Sequence, residues 1–299
     1  MITLSFPRKR ESSVLRRKSL GPRVRGNDEG VTHSRIPHIP IMLTVAQRDK
    51  AARHLLAARR ARQPGPRLPD GCRPSNLEDA LAIQRRVQEL LGFATGGWKC
   101  SVPTAERAIS CAAIFAPTIA RASPCPVVAH GGIVRIEPEI AFVLGRDLPR
   151  RAAPYSDAEM RAAVAETRLV LELLDSRYAD PAAVSFPELL ADQVSNQGLF
   201  VGPILSDTAS RSLEEFAITI EGPAGVLYRR EGRHPDGHPL RPFVWLANFL
   251  ASRPEIGGLK TGEIVTTGSY AGALEVPVAT PLSVRFGELG EVGVELVAA

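Results

Sequence analysis

The sequence predicts an α+β fold. Two amphipathic helices come first, and a series of strands bounded by turn residues follows. The helices among those strands do not alternate with them regularly enough for a parallel βαβ sheet. At 299 residues the chain is long enough for one large domain or two smaller ones. No internal repeat is visible.

The elements follow in order. Residues 44–63, TVAQRDKAARHLLAARRARQ, read as a helix with Val45, Ala52, Leu55 and Leu56 on one face. A Pro/Gly loop covers 64–74. SNLEDALAIQRRVQELLG opens on a capping-box pattern, Ser75 with Glu78, carries apolar residues at 77, 81, 83, 87, 90 and 91, and ends at Gly92. GGWKCSV reads as a short strand, and the Ala- and Pro-rich stretch 111–128 as irregular. VVAHGGIVRIEPEIAFVLG begins the strand-rich part. A second capping box, Ser156 with Glu159, starts a helix running towards 167. RLVLELLD is a strand, SFPELLADQ a short helix and GLFVGPIL a strand. EFAITIEG and GVLYRREG are two strands joined through Gly222–Gly225. LRPFVWLANFLASR is a helix, and GEIVTTGS, LSVRF and EVGVELV close the chain as strands.

Bulk properties narrow the function classes. The apolar share of 44% and charged share of 23% are those of an ordinary globular protein. No apolar run is long enough to span a bilayer, and the arginine-broken start has no signal-peptide core. A cytoplasmic protein with no membrane partner is expected. The four cysteines, Cys72, Cys100, Cys111 and Cys125, have no C-x-x-C spacing and read as reduced thiols. No G-x-G-x-x-G, P-loop or G-x-S-x-G is present, so nucleotide binding and a serine-hydrolase elbow lack support.

The net charge of +5 belongs to the N-terminus. Residues 1–41 carry nine Lys/Arg and three Asp/Glu, and the remaining 28 basic and 29 acidic residues nearly cancel. A basic arm could bind nucleic acid. However, FPRKRESSVLRRKSLGPRVRGNDEG has no apolar period, resembles the translation of a repeated intergenic DNA element, and precedes a good helix start at Met42. Residues 1–41 are therefore expected to be a disordered tail and a mis-assigned start, with no nucleic-acid partner. The expected domain is 42–299, helical over 42–95. N-terminal sequencing of the native protein checks this, and an intact residue 1 contradicts it.

The chemistry concentrates in RIEPEIAFVLG. Side chains alternate along a strand, so Ile136, Pro138, Ile140, Phe142 and Leu144 form one wholly apolar face. Arg135, Glu137, Glu139, Ala141 and Val143 form the other. A solvent face would stay polar throughout, whereas this one turns apolar after Glu139, so the glutamates sit at the mouth of something enclosed. Pro138 lacks an N–H for a ladder bond and suggests a sheet edge or a bulge. Two like charges on one face require either protonation or a cation between them. A third acid, Glu172, lies in RLVLELLDSRY among Leu169, Val170, Leu171, Leu173 and Leu174. Three carboxylates without histidine or cysteine suit Mg²⁺ or Mn²⁺ better than zinc. The alternative is that each glutamate pairs with an arginine such as Arg135, Arg168 or Arg177.

RIEPEIAFVLGRDLP, LELLDSRY, LADQVSNQGLFVG, and WLANFL followed by LKTGEIVTTGS resemble the 2-keto-4-pentenoate hydratase and 4-oxalocrotonate decarboxylase group of the fumarylacetoacetate hydrolase superfamily. The likeness runs from about Met42 to the C-terminus. It implies a mixed β-roll over 96–299 with peripheral helices, and Mg²⁺ or Mn²⁺ held by Glu137, Glu139 and Glu172. The group's G-[WY]-K matches Gly97, Trp98 and Lys99, with the lysine facing the site. Asp192 matches a catalytic position, although by itself it could as well cap a helix. Ser195, Thr267, Gly268 and Ser269 match the substrate loops, where plain turn roles compete. Arg177 could hold a distal carboxylate or make a structural ion pair with Asp175 or Asp180. His130, His234 and His238 have no ligand spacing.

The implied activity is metal-dependent addition of water to a 2-hydroxy-2,4-dienoic acid, in a homo-oligomer. Three carboxylates and a divalent ion leave one negative charge and a 2-oxo acid adds another, so Lys99 is the natural cation for the substrate. The same electron sink serves decarboxylation or C–C cleavage of an acylpyruvate, and a non-catalytic acid-binding protein could keep the fold. The chain departs from the group in two places. No Asp or Glu occurs from Arg107 to Ile136, where the group carries D-[FY]-G and this chain has IFA. Ala279-Thr280 replaces a Gly-Asp before the last strands.

Overall fold

The computed structural model describes residues 42–206 and 212–299. The expected tail, 1–41, lies outside the described residues. Helix α1 (Val45–Ala61) begins at a capping box in which Gln47 N–H donates to the Thr44 hydroxyl and Thr44 N–H to the Gln47 side chain. Its buried face is Ala51, Ala52, Leu55 and Leu56, while Val45, expected on that face, is 80% exposed in the first turn. Helix α2 (Leu77–Leu91) is capped by Asn76 and not by the expected Ser75/Glu78 box. Asn76 accepts from Asp79 N–H, and the buried Asp79 carboxylate takes Leu43 N–H and Arg48 Nε. Gly92, at φ 67°, ends it as expected.

Strands β1 (Thr95–Ser101) and β2 (Ser110–Phe115) come next, followed by β3 (Ile119–Ala120) and β4 (Cys125–Val127). The expectation of irregular chain over 111–128 is thus corrected: β2 pairs with β1 along six positions, because tertiary pairing overrides the weak strand propensity of its alanines. After β5 (Ile133–Leu144) and β6 (Leu148–Pro149), helix α3 (Asp157–Arg161) keeps the Ser156–Glu159 box but stops well short of 167. Strand β7 (Val164–Leu174) starts there instead. Then come α4 (Phe186–Ala191), β8 (Asn196–Ile204), the hairpin β9 (Glu215–Gly222) with β10 (Gly225–Arg233), and α5 (Leu240–Ala251). Strands β11 (Gly258–Leu259), β12 (Ile264–Thr266), β13 (Leu274–Pro277), β14 (Pro281–Phe286) and β15 (Gly290–Ala298) finish the chain.

The large sheet runs β2-β1-β12-β5-β7-β8-β3, with β13 also pairing β5. It is mixed, since β1–β12 and β3–β8 are parallel while the other pairs are antiparallel. It curls until β2 touches β8. The second sheet, β10-β9-β14-β15-β4, packs on its outside. Ile136 and Ile140 of β5 join Leu169, Leu171, Ile218, Val284 and Phe286 between the sheets, and Phe142 and Leu144 pack with α5. The other face of β5 points into the curl, where Ala141 and Val143 meet Ile114, Val170, Leu199 and Ile264. The wholly apolar face and the mixed face are thus the two sides of the rolled sheet. All four cysteines are buried and free, and no described helix is long and apolar enough to cross a membrane.

Pro138 is not on an edge strand. β5 is interior, paired with β7 along its length and on the other side with β13 up to Ile136 and β12 from Ala141. Pro138 falls in the gap between those partners, and its carbonyl accepts Tyr270 N–H. In an antiparallel strand a residue's N–H and C=O point the same way, so the missing donor faces that gap.

Gly97 lets β1 approach β12 closely: a Cβ there would lie 2.3 Å from Ile264 O. Gly97→Ala is expected to cost about 1–3 kcal/mol through forced backbone displacement. Urea denaturation measures it, and an unchanged midpoint contradicts the close approach.

Candidate metal centre

Glu137 and Glu172 are paired across β5 and β7, and Glu139 lies two residues along the same face. One oxygen from each comes within 4.8 Å of the others. Glu172 and Glu139 are buried, while Glu137 is half-buried and marks the open side. Glu139 accepts hydrogen bonds from the Thr266 hydroxyl and from Gly268 N–H at 2.7 Å. Gly268 has φ +123°, and a Cβ there would lie 2.9 Å from Pro235 Cγ, so the turn that presents this N–H requires glycine. Lys99 Nζ is 2.5 Å from Glu172 Oε1 and donates to Val194 O at 3.3 Å. Asn196 Nδ2 donates to the same Glu172 oxygen at 2.9 Å.

Glu172 Oε2 is buried and has no hydrogen-bond partner. An orphaned carboxylate oxygen is costly, and here it lies among two more carboxylates. Three carboxylates and one ammonium leave two negative charges, which one divalent ion cancels. An all-oxygen donor set fits a hard cation such as Mg²⁺ or Mn²⁺. None of the three glutamates pairs with Arg135, Arg168 or Arg177 within ion-pair distance among the described residues, since Arg168 holds Glu166 and Arg177 holds Asp192.

Burial, then the charge of Glu172, raises Glu137 to about 7 and Glu139 to about 8. Burial alone would lower the Lys99 ammonium, but Glu172 and Glu137 outweigh it and hold it raised. A carboxyl with a raised folded-state pKa contributes stability that is complete below its unfolded pKa and is lost as pH rises through the folded value. The metal-free protein is therefore expected to melt roughly 5 °C or more lower at pH 8.5 than at pH 5. Excess Mg²⁺ should restore most of that loss. Differential scanning calorimetry checks this, and equal melting temperatures in EDTA across that range contradict it.

The structure places the remaining expected site residues as follows. Asp192 is buried, and both its oxygens are taken by Arg177, from the backbone N–H at 3.0 Å and from Nε. Its carboxylate holds an arginine. Arg177 correspondingly pairs with Asp192 and not with Asp175 or Asp180. Residues Gln193, Val194 and Ser195 form a left-handed turn, at φ 56°, 50° and 63°. Non-glycine residues adopt this rarely. The turn brings Val194 O to Lys99 and Ser195 O to Asp175 N–H. Thr267 donates to Ile140 O, and Ser269 to Gly272 O. It is thus Thr266, not singled out from the sequence, that reaches a carboxylate. Pairing register identifies it, because Thr266 lies opposite both Lys99 and Ala141. Asn196 was likewise missed. His130 pairs with Asp175 at 2.9 Å, and His234 is buried and pushed down to about 4 by burial.

Comparison with known proteins agrees with this geometry. No protein-family model matches the chain. It is 31% identical over 174 residues to 2-keto-4-pentenoate hydratase 1 of Dechloromonas aromatica (strain RCB), covering 56% of this chain and 62% of that protein. It is 30% identical over 158 residues to a 4-oxalocrotonate decarboxylase of Pseudomonas sp, covering 53% and 58%. The matches therefore span about three fifths of these relatives' own length. The solved 4-oxalocrotonate decarboxylase from Pseudomonas putida G7, complexed with calcium and acetate, superposes with a TM-score of 0.68 at 22% identity, covering 86% of this chain and 99% of that one. The fold is thus a fumarylacetoacetate hydrolase-like β-roll with peripheral helices. Its sequence is similar to those of the 2-keto-4-pentenoate hydratase and 4-oxalocrotonate decarboxylase group.

Proposed function

We propose that the protein is a divalent-metal-dependent lyase. It adds water to a 2-hydroxy-2,4-dienoic (2-oxo-4-enoic) acid to give a 4-hydroxy-2-oxo acid, as in meta-cleavage breakdown of aromatic compounds. The observation that carries this reading is the Glu137–Glu139–Glu172 cluster, with Glu139 and Glu172 buried and Lys99 against it. Those glutamates would hold Mg²⁺ or Mn²⁺, and the bound ion would supply Lewis-acid polarisation of the 2-oxo group. Lys99 offers the ammonium that an anionic substrate needs in a cluster already rich in carboxylates, and it carries a proton beside the reacting carbons. Thr266 and Gly268 fix Glu139, while Asn196 and Lys99 fix Glu172. The loop from Thr267 to Ser269 and Ser195 would border the substrate, and Asp192 acts through Arg177 to hold the turn that carries Val194 O. We also propose a homo-oligomer working in the cytoplasm on a free small acid, and light scattering that shows a monomer would set the assembly aside.

A second reading has one observation behind it. No Asp or Glu lies between Arg107 and Ile136, so that segment supplies no carboxyl to shuttle a proton to water. Loss of a distal carboxylate conjugated with the 2-oxo group leaves its electron pair in that sink as an enolate and needs only a later proton. Ultraviolet loss of a 2-hydroxydienoate in Mg²⁺ or EDTA, with a carbon dioxide assay alongside, separates the readings. Metal-dependent loss without carbon dioxide is expected. Carbon dioxide release in step with substrate loss would make it a decarboxylase, and cleavage of an acylpyruvate alone a C–C hydrolase. No turnover of any such acid would leave a binding protein.

A further inference from the structure

His234 is 1% exposed, and the proposed reaction does not use it. Its ring stands edge-on to Tyr270, with ring centres 5.2 Å apart. Nδ1 accepts Asp236 N–H at 3.1 Å. Burial pushes the ring down to about 4, so at neutral pH it carries one proton, and that proton sits on Nε2. Nε2 has no hydrogen-bond partner among the described residues. A buried donor left unpaired is costly, so its place calls for a reason. A leucine would fill the same space without that cost. The bond to Asp236 N–H does not explain the second nitrogen either, since an asparagine offers an acceptor at that reach.

Beside Nε2 lies the turn that supports Glu139. On the side of Gly268 where a Cβ would stand, the nearest atoms are Pro235 Cγ at 2.9 Å, Pro235 Cδ at 3.5 Å and His234 Nε2 at 3.8 Å. The Thr267 backbone stands close enough to favour the protonated ring. Gly268 N–H in turn donates to Glu139 Oε2 at 2.7 Å. This turn is pinned to β5 on both sides of Gly268, by the Thr267 hydroxyl on Ile140 O and Tyr270 N–H on Pro138 O. Gly268 itself, at φ +123°, is backed by His234 and Pro235. The backing segment is fixed in its own right. His234 N–H donates to Glu214 O at 2.8 Å, and the buried Asp236 carboxylate accepts Val102 N–H at 3.0 Å and pairs with Arg107. Val102 directly follows β1, the strand that carries Lys99.

Building on the reading of Glu139 as a metal ligand, we infer that His234 is a positioning residue whose Nε2–H backs the Thr267–Gly268 turn and keeps Gly268 N–H on Glu139. Two variants separate this role from a purely structural one. His234→Asn keeps an acceptor for Asp236 N–H but does not reach the turn, whereas His234→Gln places an amide N–H near the position of Nε2. In calorimetric titration of the full chain, His234→Asn is expected to bind Mn²⁺ about tenfold more weakly than wild type, the lower end for loss of a contact that supports a ligand. His234→Gln should recover most of that loss. If His234 only holds the segment 234–236, the order reverses, with His234→Asn like wild type and His234→Gln weaker. Affinity within twofold of wild type in His234→Asn, or equal losses in the two variants, overturns the inference. A second measurement needs no variant. In wild type carrying ¹⁵N-labelled histidine, the His234 ring is expected to show the Nε2-protonated form, and saturating Mg²⁺ to shift its Nε2 signal. A ring protonated on Nδ1, or a signal that Mg²⁺ leaves in place, overturns the role. Neither readout uses turnover, so the role of His234 stands even where no dienoate is consumed. Wild type that binds no Mn²⁺ removes this role and the metal site together.

Discussion

Glu139→Ala is expected to lower Mn²⁺ affinity at least a hundredfold and to take turnover of a 2-hydroxydienoate, if the proposed reaction holds, below detection. The residue is one of three carboxylates whose oxygens lie within 4.8 Å of one another, and removing a directly ligating oxygen should exceed the roughly 10–100-fold cost of removing a supporting contact. The sign of the stability change separates this account from a structural one. In EDTA, two of three mutually repelling carboxylates remain, and the lost partners are a hydroxyl and a single N–H. The metal-free variant is therefore expected to melt no lower than the metal-free wild type above pH 8, where Glu139, raised to about 8, would be charged. If Glu139 were a fold-holding group, the variant would melt lower at every pH. Calorimetric titration with Mn²⁺ and melting in EDTA measure the two quantities, and Mn²⁺ binding as tight as wild type removes Glu139 from the site.

Lys99→Met acts in the opposite sense. Its ammonium is 2.5 Å from Glu172 Oε1, so it already balances part of the charge that a metal would balance. Removing one partner of a buried pair typically costs about 3–5 kcal/mol, so the metal-free variant is expected to unfold more readily than wild type. Mn²⁺ should restore its stability, because the ion replaces the lost positive charge. Turnover does not return with it: activity should fall by about 10²–10⁴, the range for a group that carries a proton in the reaction. Metal-loaded Lys99→Met that retains activity within threefold of wild type would show that the lysine serves only to neutralise Glu172.

Much of this site was legible because it sits on one strand. Alternation along β5 separates Glu137 and Glu139 from the apolar face, and the run of leucines around Glu172 marks a carboxylate in a buried strand. What the sequence hid depends on pairing over long distances. Thr266 reaches Glu139 from 127 residues away, and only the register of β12 against β1 and β5 distinguishes it from Thr267. Pro138 read as a sheet edge or a bulge, whereas it fills a break between two successive partners of an interior strand that pairs regularly with β7 there. β2 carries alanines where strand propensity is weak and becomes a strand through its pairing with β1. The Ser156–Glu159 box marked a true helix start, but a local start signal does not encode where β7 takes over. Arg177 illustrates the same limit: nearby Asp175 and Asp180 were obvious partners in sequence, while the fold brings Asp192 to it.

The central claim is that Glu137, Glu139 and Glu172 form a divalent-metal site with Lys99 beside it. Anomalous diffraction from crystals soaked in Mn²⁺ tests it most directly. The expected map has one strong peak bounded by oxygens of all three glutamates, including the otherwise unpartnered Glu172 Oε2, and Lys99 Nζ moved away from Glu172 Oε1. No peak at the three glutamates at millimolar Mn²⁺, with Lys99 still seated on Glu172, would contradict the account.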